Sequence, residues 1–322
     1  MTPLRRRAAL LMLAAGLVCA PAGGARSAPA QDTPQATFRS TAAAVMVDVA
    51  VRDRNRRSIT GLGADDFEVF DNGVLQTVAD VSYGRLPIDV TVALDVSSSV
   101  TGDVLKRLRE AMVQLTRDLG RGDRLKLVLF NQQITRTTDF TTDVKVVERA
   151  VREVAAGGST ALLDAMSVAL VSASAPDRRQ LVMVFTDGSD SSSITTADML
   201  TTVAQRTRAT LAFVVPGALR TITTFSSPKS VLPPVPITQR SASIPQNPLL
   251  TSLAAETGGT VIPTAAGVDV SAAFRRVLDE FRSAYVLYYT PAGVDRAGYH
   301  KLDVKVKREA VTVQARRGYF GS

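Results

Sequence analysis

Between Ile88 and Val100 the chain reads IDVTVALDVSSSV. No charge interrupts the stretch between Asp89 and Asp95, and then small oxygen-bearing side chains follow: Asp95, Ser97, Ser98 and Ser99. A near-continuous apolar run of this kind suits a central parallel strand covered on both faces. From here to about residue 215 the pattern alternates between strand and helix. Val104, Leu105, Leu108, Ala111, Met112, Leu115 and Leu119 recur at helical spacing, with Thr101 as the expected cap and Gly120 as the stop. Strands are predicted over 124–130, 134–140 (an edge strand, richer in Thr), 181–185 and 210–215. Helices are predicted over 144–155, 161–173 and 196–207. This succession predicts an α/β fold with a doubly wound, mostly parallel sheet.

The flanks differ. At 44–52 valines alternate with other residues, the period of a half-buried strand. Short strands follow at 66–70 and 74–83, joined by the tight-turn sequence Asp71-Asn72-Gly73. Beyond the α/β region, helices are expected over 249–257 and 270–284 and a strand over 285–289. Leu302, Val304 and Val306 then face inward from an alternating strand. The predicted organisation is a β module at 44–86, an α/β domain at 87–284, and a C-terminal β segment at 285–322. Each β end alone is a thin sheet with one apolar face, so the two are expected to pair. Within the α/β domain, 218–248 is rich in Ser, Thr and Pro. A segment of that length suggests a cover or contact surface near the rim, or an insertion without a role.

The N-terminus reads as an export signal over 1–30. Arg5, Arg6 and Arg7 precede an apolar run too short for a membrane span, and small residues follow; Ala30 is the favoured cleavage point. Residues 31–43 form a polar linker. Cys19, the one cysteine, falls inside the signal, so the exported chain would hold neither disulfides nor redox chemistry. Removing 1–30 also removes four arginines and no acids, which lowers the net charge from +8 to +4. With no dense basic run interleaved with aromatics, nucleic acid is not an expected partner. No transmembrane segment is expected after the signal.

Three polar points sit where strands or helices meet loops: Asp95, Ser97 and Ser99 after the first α/β strand, Thr160 after Gly157-Gly158, and Asp187 after the strand at 181–185. In a doubly wound sheet such loops share the rim where ligands bind. Hydroxyls and carboxylates are hard donors, suited to Mg2+, with Mn2+ as the alternative. Ser98, Asp164, Ser189 and Asp190 are read as capping, structural or solvated loop residues.

DVSSS, GGST and TDG, in that order, resemble the metal-ion-dependent adhesion site of a von Willebrand factor type A domain. The resemblance implies direct coordination by Ser97 and Ser99, with Thr160 direct or through water. Asp95 and Asp187 are implied as charged partners, and a carboxylate from a protein ligand would complete the ion. The segments at 60–74 and 284–320 are similar to those of secreted bacterial proteins related to the same family. The expected function is a non-enzymatic, divalent-metal-dependent protein-binding module, exported to the periplasm, cell surface or medium. The alternative is a structural envelope protein whose metal only stabilises the fold. Enzyme classes lack their residues: the chain has one histidine, His300, expected at the surface, and no GxxxxGK phosphate loop.

Overall fold

The computed structural model describes residues 44–321 except 85, 173, 176, 217–246 and 265–268. The expectations for 1–30, for 31–43, and for 218–248 up to Gln246 fall outside the described residues. Four strands come first: Val45–Arg52 (β1), Phe67–Asp71 (β2), Val74–Gln76 (β3) and Val78–Tyr83 (β4). The α/β portion runs Ile88–Asp95 (β5), Asp103–Asp118 (α1), Arg124–Phe130 (β6), Ile134–Thr137 (β7), Val144–Glu153 (α2) and Leu162–Leu170 (α3). It continues with Arg179–Phe185 (β8), Ala197–Arg206 (α4), Thr210–Pro216 (β9), Pro248–Thr257 (α5), Val261–Thr264 (β10) and Val270–Arg282 (α6). Tyr285–Tyr289 (β11), Gly298–Val306 (β12), Thr312–Ala315 (β13) and Gly318–Gly321 (β14) follow.

The α/β sheet has the order β10-β9-β8-β5-β6-β7, parallel throughout except for β7 at the edge. Side chains of α1, α2 and α6 pack on one face and those of α3, α4 and α5 on the other, as a doubly wound sheet requires. β5 is buried at all eight positions. Ile88, Val90, Val92 and Leu94 join the first core, and Ala93 joins the second. Asp89, Thr91 and Asp95 share Ala93's face by the two-residue period. Each fully buried aliphatic side chain contributes about 1.5–3 kcal/mol.

Two local expectations are corrected. Thr101 does not cap α1: Gly102 occupies the N-cap at φ 56°, a backbone conformation that glycine adopts without strain, and no side chain bonds the helix end. The helix after 218–248 begins one residue early, with Asn247 as its cap (Oδ1 accepts from Leu249 N) and Pro248 in the first turn.

The two β ends pair with each other. β1 lies between β11 and β13, and β4 pairs with the other side of β11. In a second sheet β12 lies between β14 and β2, with β3 at the edge. One core serves both sheets, formed by Val47, Val49 and Val51 of β1, Phe67 and Val69 of β2, Tyr285, Leu287 and Tyr289 of β11, and Leu302 of β12. The single strand expected over 74–83 is two strands in different sheets. At the corner, buried Gln76 bonds both the N–H and the C=O of Ala292.

His300 was expected at the surface and is 1% exposed. It shares parity with Leu302 and Val304, so the strand turns it inward. Its Nδ1 lies 2.8 Å from Asp71 Oδ1, and its ring stacks on Tyr319. Tyr289 and Tyr319 both donate their hydroxyls to Asp71 Oδ2. Burial, with Asp71 beside them, holds both phenols above the ordinary tyrosine range.

The sandwich docks at the amino-terminal edge of the α/β sheet. Arg179, the first residue of β8, is 1% exposed. Its Nε donates to Asp48 Oδ1 of β1 at 2.6 Å, and its guanidinium lies 3.9 Å from the centre of the Phe281 ring. Gln314 of β13 donates to the carbonyls of Gly258 and Gly259 after α5. Gly258 has φ +77°, and a Cβ there would lie 2.6 Å from Arg316 N, so only glycine allows this approach. The carboxyl ends of the strands are left clear of the sandwich.

At the amino end of β5, Asp89 is fully buried and accepts from Arg124, Arg178 and Ser174. Burial pushes its carboxyl up, but these bonds outweigh burial and hold it below the ordinary range. Its contribution to stability is present above the ordinary aspartate pKa and is lost as pH falls through the lowered value. Asp89→Ala should cost about 3–5 kcal/mol in urea unfolding, because it strands two partly buried guanidiniums.

Candidate functional site

The rim at the carboxyl ends is built around the switch point between β5 and β8. The chain leaves β5 for α1 on one face of the sheet and leaves β8 for α4 on the other. Crevices of this kind are where ligands bind in open α/β sheets. Asp95 closes β5, Asp187 follows β8 by two residues, and Thr160 precedes α3.

Hydrogen bonds join the three loops. Gly157 N donates to Val96 O, while Ser98 donates to Gly158 O through both its N–H and its hydroxyl. Gly158 has φ +83°, and a Cβ would overlap the Gln132 side chain. Thr160 O accepts from the N–H groups of Ser191 and Ser192, and Ser159 and Ser192 share a hydroxyl bond at 2.6 Å. Asp190 has a definite task that its exposed position in sequence does not signal. Its Oδ1 accepts from Leu162 N at 2.8 Å and from Ser193 Oγ at 2.6 Å, capping α3 from another loop. Asp164 holds the same loop from the helix side by accepting from Ile194 N and Thr195 N. Burial pushes the Asp164 carboxyl up, but these bonds prevail and hold it low.

All five predicted residues lie on these joined loops. Asp95 is 0% exposed, Ser97 2% and Thr160 6%, whereas Ser99 and Asp187 are exposed. Asp95 Oδ1 accepts from Ser97 N at 2.9 Å and Oδ2 from Thr186 Oγ1 at 3.0 Å. Ser97 Oγ and Ser99 Oγ are 3.2 Å apart. The Thr160 hydroxyl makes no hydrogen bond among the described residues. Asp187 Oδ1 accepts from Ser189 N.

The donor set fits a small hard cation. Adjacent donors of an octahedral Mg2+ bound at about 2.0–2.1 Å are about 2.9 Å apart, close to the Ser97–Ser99 spacing. Electrostatics point the same way. Burial raises the Asp95 carboxyl above its ordinary range, the bonds from Ser97 and Thr186 offset this only in part, and the charge on Asp187 adds to the rise. Asp89 and Asp95 sit on the same strand face, yet among the described residues only Asp89 has cationic partners. Among the described residues no three His, Cys, Asp or Glu side chains cluster as metal ligands. The candidate set instead pairs two carboxylates with three hydroxyls.

Residues 89–224 match the model of the von Willebrand factor type A (VWA) domain. The chain carries a VWA domain. Over 149 residues it is 26% identical to the inter-alpha-trypsin inhibitor heavy chain H4 of Sus scrofa, covering 43% of this chain and 16% of that relative's length. Among solved structures, a von Willebrand factor type A protein from Catenulispora acidiphila is 13% identical, with TM-score 0.47 over 87% of this chain and 75% of its own. The conserved hypothetical protein BatB from Bacteroides thetaiotaomicron is 15% identical, with TM-score 0.44 over 60% of this chain and 98% of its own. VWA domains are in general protein-interaction modules rather than enzymes. Among the described residues, no helix is long and apolar enough to cross a membrane.

The raised carboxyl of Asp95 gives a signed prediction for the metal-free protein. The folded state holds that proton more tightly than the unfolded chain. Asp95's contribution is therefore greatest below the ordinary aspartate pKa and is lost as pH rises through the raised value. Urea unfolding in chelator should show this loss in the wild type, and Asp95→Asn should remove it. If Asp95→Asn follows the wild-type pH profile, Asp95 is not the group responsible.

Proposed function

We propose that the VWA domain is a divalent-cation-dependent protein-binding module of an exported chain, and that its rim captures a carboxylate presented by a protein partner. The observation that carries this reading is the buried Asp95, which has no cationic partner among the described residues and lies beside the paired hydroxyls of Ser97 and Ser99. Ser97, Ser99 and Thr160 would hold the ion, with Asp95 and Asp187 as its charged partners. A bound Mg2+ would supply positive charge that a partner's acidic side chain can satisfy. Neutral hydroxyl donors leave more of that charge available than carboxylates would.

The chain's own contribution is positioning. Thr186 and the backbone of Ser97 orient the Asp95 carboxylate. The carbonyl of Gly158 accepts from both the N–H and the hydroxyl of Ser98, which ties the loop that carries Thr160 to the loop after β5. Exposure of Ser99 and Asp187 leaves one side open to a partner. Export to the periplasm, surface or medium belongs to the same reading and rests on the signal-like composition of 1–30.

Retention of envelope proteins on the immobilised chain should depend on Mg2+, be lost in chelator, and fall at least tenfold for Asp95→Ala. Retention unaffected by chelator and by Asp95→Ala would overturn the proposal. A Mg2+-induced rise in melting temperature without cation-dependent retention would favour a purely structural ion.

A further inference from the structure

A second feature lies at the opposite edge of the α/β sheet, where the α4–β9 connection meets the sandwich. A cavity of about 340 Å3 is bounded there by the start of β1, the end of α4, the residues after β11, and β14. Four arginines line it, Arg206, Arg208, Arg296 and Arg316, together with Tyr319 and Phe320. None of its lining residues is acidic among those described. Carboxylates around it are engaged elsewhere: Glu256 pairs with Arg317, Asp48 pairs with Arg179, and Asp71 accepts from the Tyr319 hydroxyl.

Arg316 is the decisive member. It is 7% exposed, and its guanidinium donates to two neutral carbonyls, Gly318 O at 2.7 Å and Gln205 O at 3.4 Å. A buried cation held only by carbonyls is costly, because carbonyl dipoles replace its hydration incompletely. Burial accordingly lowers the pKa of Arg316, against the pull of the Asp48 and Glu256 carboxylates. Arg206 lies over the Phe320 ring at 4.4 Å, which fixes its guanidinium at the cavity wall. The Arg296 side chain has no hydrogen-bond or ion-pair partner among the described residues. The guanidiniums of Arg206, Arg296 and Arg316 therefore border a space large enough for a small molecule, with no carboxylate among its described lining residues.

We infer that this cavity is a binding site for a small, multiply charged oxyanion, recognised by the guanidiniums of Arg206, Arg296 and Arg316. Planar guanidiniums donate paired hydrogen bonds to carboxylate and phosphate oxygens alike, so the shared chemistry is a cluster of such oxygens. The site is separate from the rim and does not depend on the cation proposed there.

The test is calorimetric titration of the full chain carrying Asp95→Ala, prepared metal-free so that the rim cannot respond. The probes are inorganic pyrophosphate and citrate. One-to-one saturable binding of at least one probe is expected. Pyrophosphate alone would point to a phosphate ligand, and citrate alone to a carboxylate ligand. Adding Arg206→Ala and Arg296→Ala together should weaken binding at least tenfold, whereas Arg54→Ala with Arg56→Ala, exposed and outside the cavity, should leave it unchanged. If the double variant melts early, the single surface change Arg296→Gln should still weaken binding about tenfold, in line with the loss of one charge-assisted hydrogen bond. Absence of saturable binding by both probes, or equal weakening by the cavity and control variants, would overturn the assignment.

Discussion

Burial of β5 is the constraint on which the rest of the structure depends. Eight consecutive buried positions, with a carboxylate near each end, pose an electrostatic problem that the fold treats in two opposite ways. At the amino end Asp89 is neutralised by two guanidiniums and a hydroxyl. At the other end Asp95 receives, among the described residues, only a backbone N–H and a hydroxyl, with a second carboxylate nearby. The same residue type on the same strand face is structural at one end and electrostatically incomplete at the other.

This asymmetry matches the arrangement of the two halves of the molecule. The sandwich covers the amino edge of the α/β sheet, where Arg179 joins β8 to β1 and the Phe281 ring. The opposite rim carries the loops of Asp95, Thr160 and Asp187. Their serine-rich connections spend most of their polar groups on one another, through Ser98 with Gly158, Ser159 with Ser192, and Asp190 with the start of α3. The candidate donors are thus placed by loops that are themselves hydrogen-bonded in place.

The sequence makes some of this legible and not the rest, for identifiable reasons. The apolar run of β5 and the helical spacing of α1 carry local periodicity, so the α/β core and the five candidate site residues can be located without coordinates. Asp190 could not be assigned its role, because it caps a helix that precedes it by almost thirty residues. The break at Thr77 is also silent, since the run from Val74 to Tyr83 holds no Gly or Pro to mark where the strand changes sheets. His300 is different: the alternation that turns Leu302 and Val304 inward also turns His300 inward, and only its polarity argued otherwise. Asp71, Tyr289 and Tyr319 make that burial tolerable, and they arrive from distant parts of the chain.

The pairing of the chain's two β ends also sets an order of events during folding. Tyr289 and Asp71, which share a hydrogen bond in the sandwich, are 218 residues apart in sequence. Closing a disordered loop of that length before any contact rewards it is entropically costly and slow. Once the α/β domain has formed, however, its entry and exit emerge side by side, where Tyr83 pairs with Tyr285. The intervening chain then acts as a short, rigid connection. The sandwich is thus expected to close last, on a nucleus provided by the domain inserted within it.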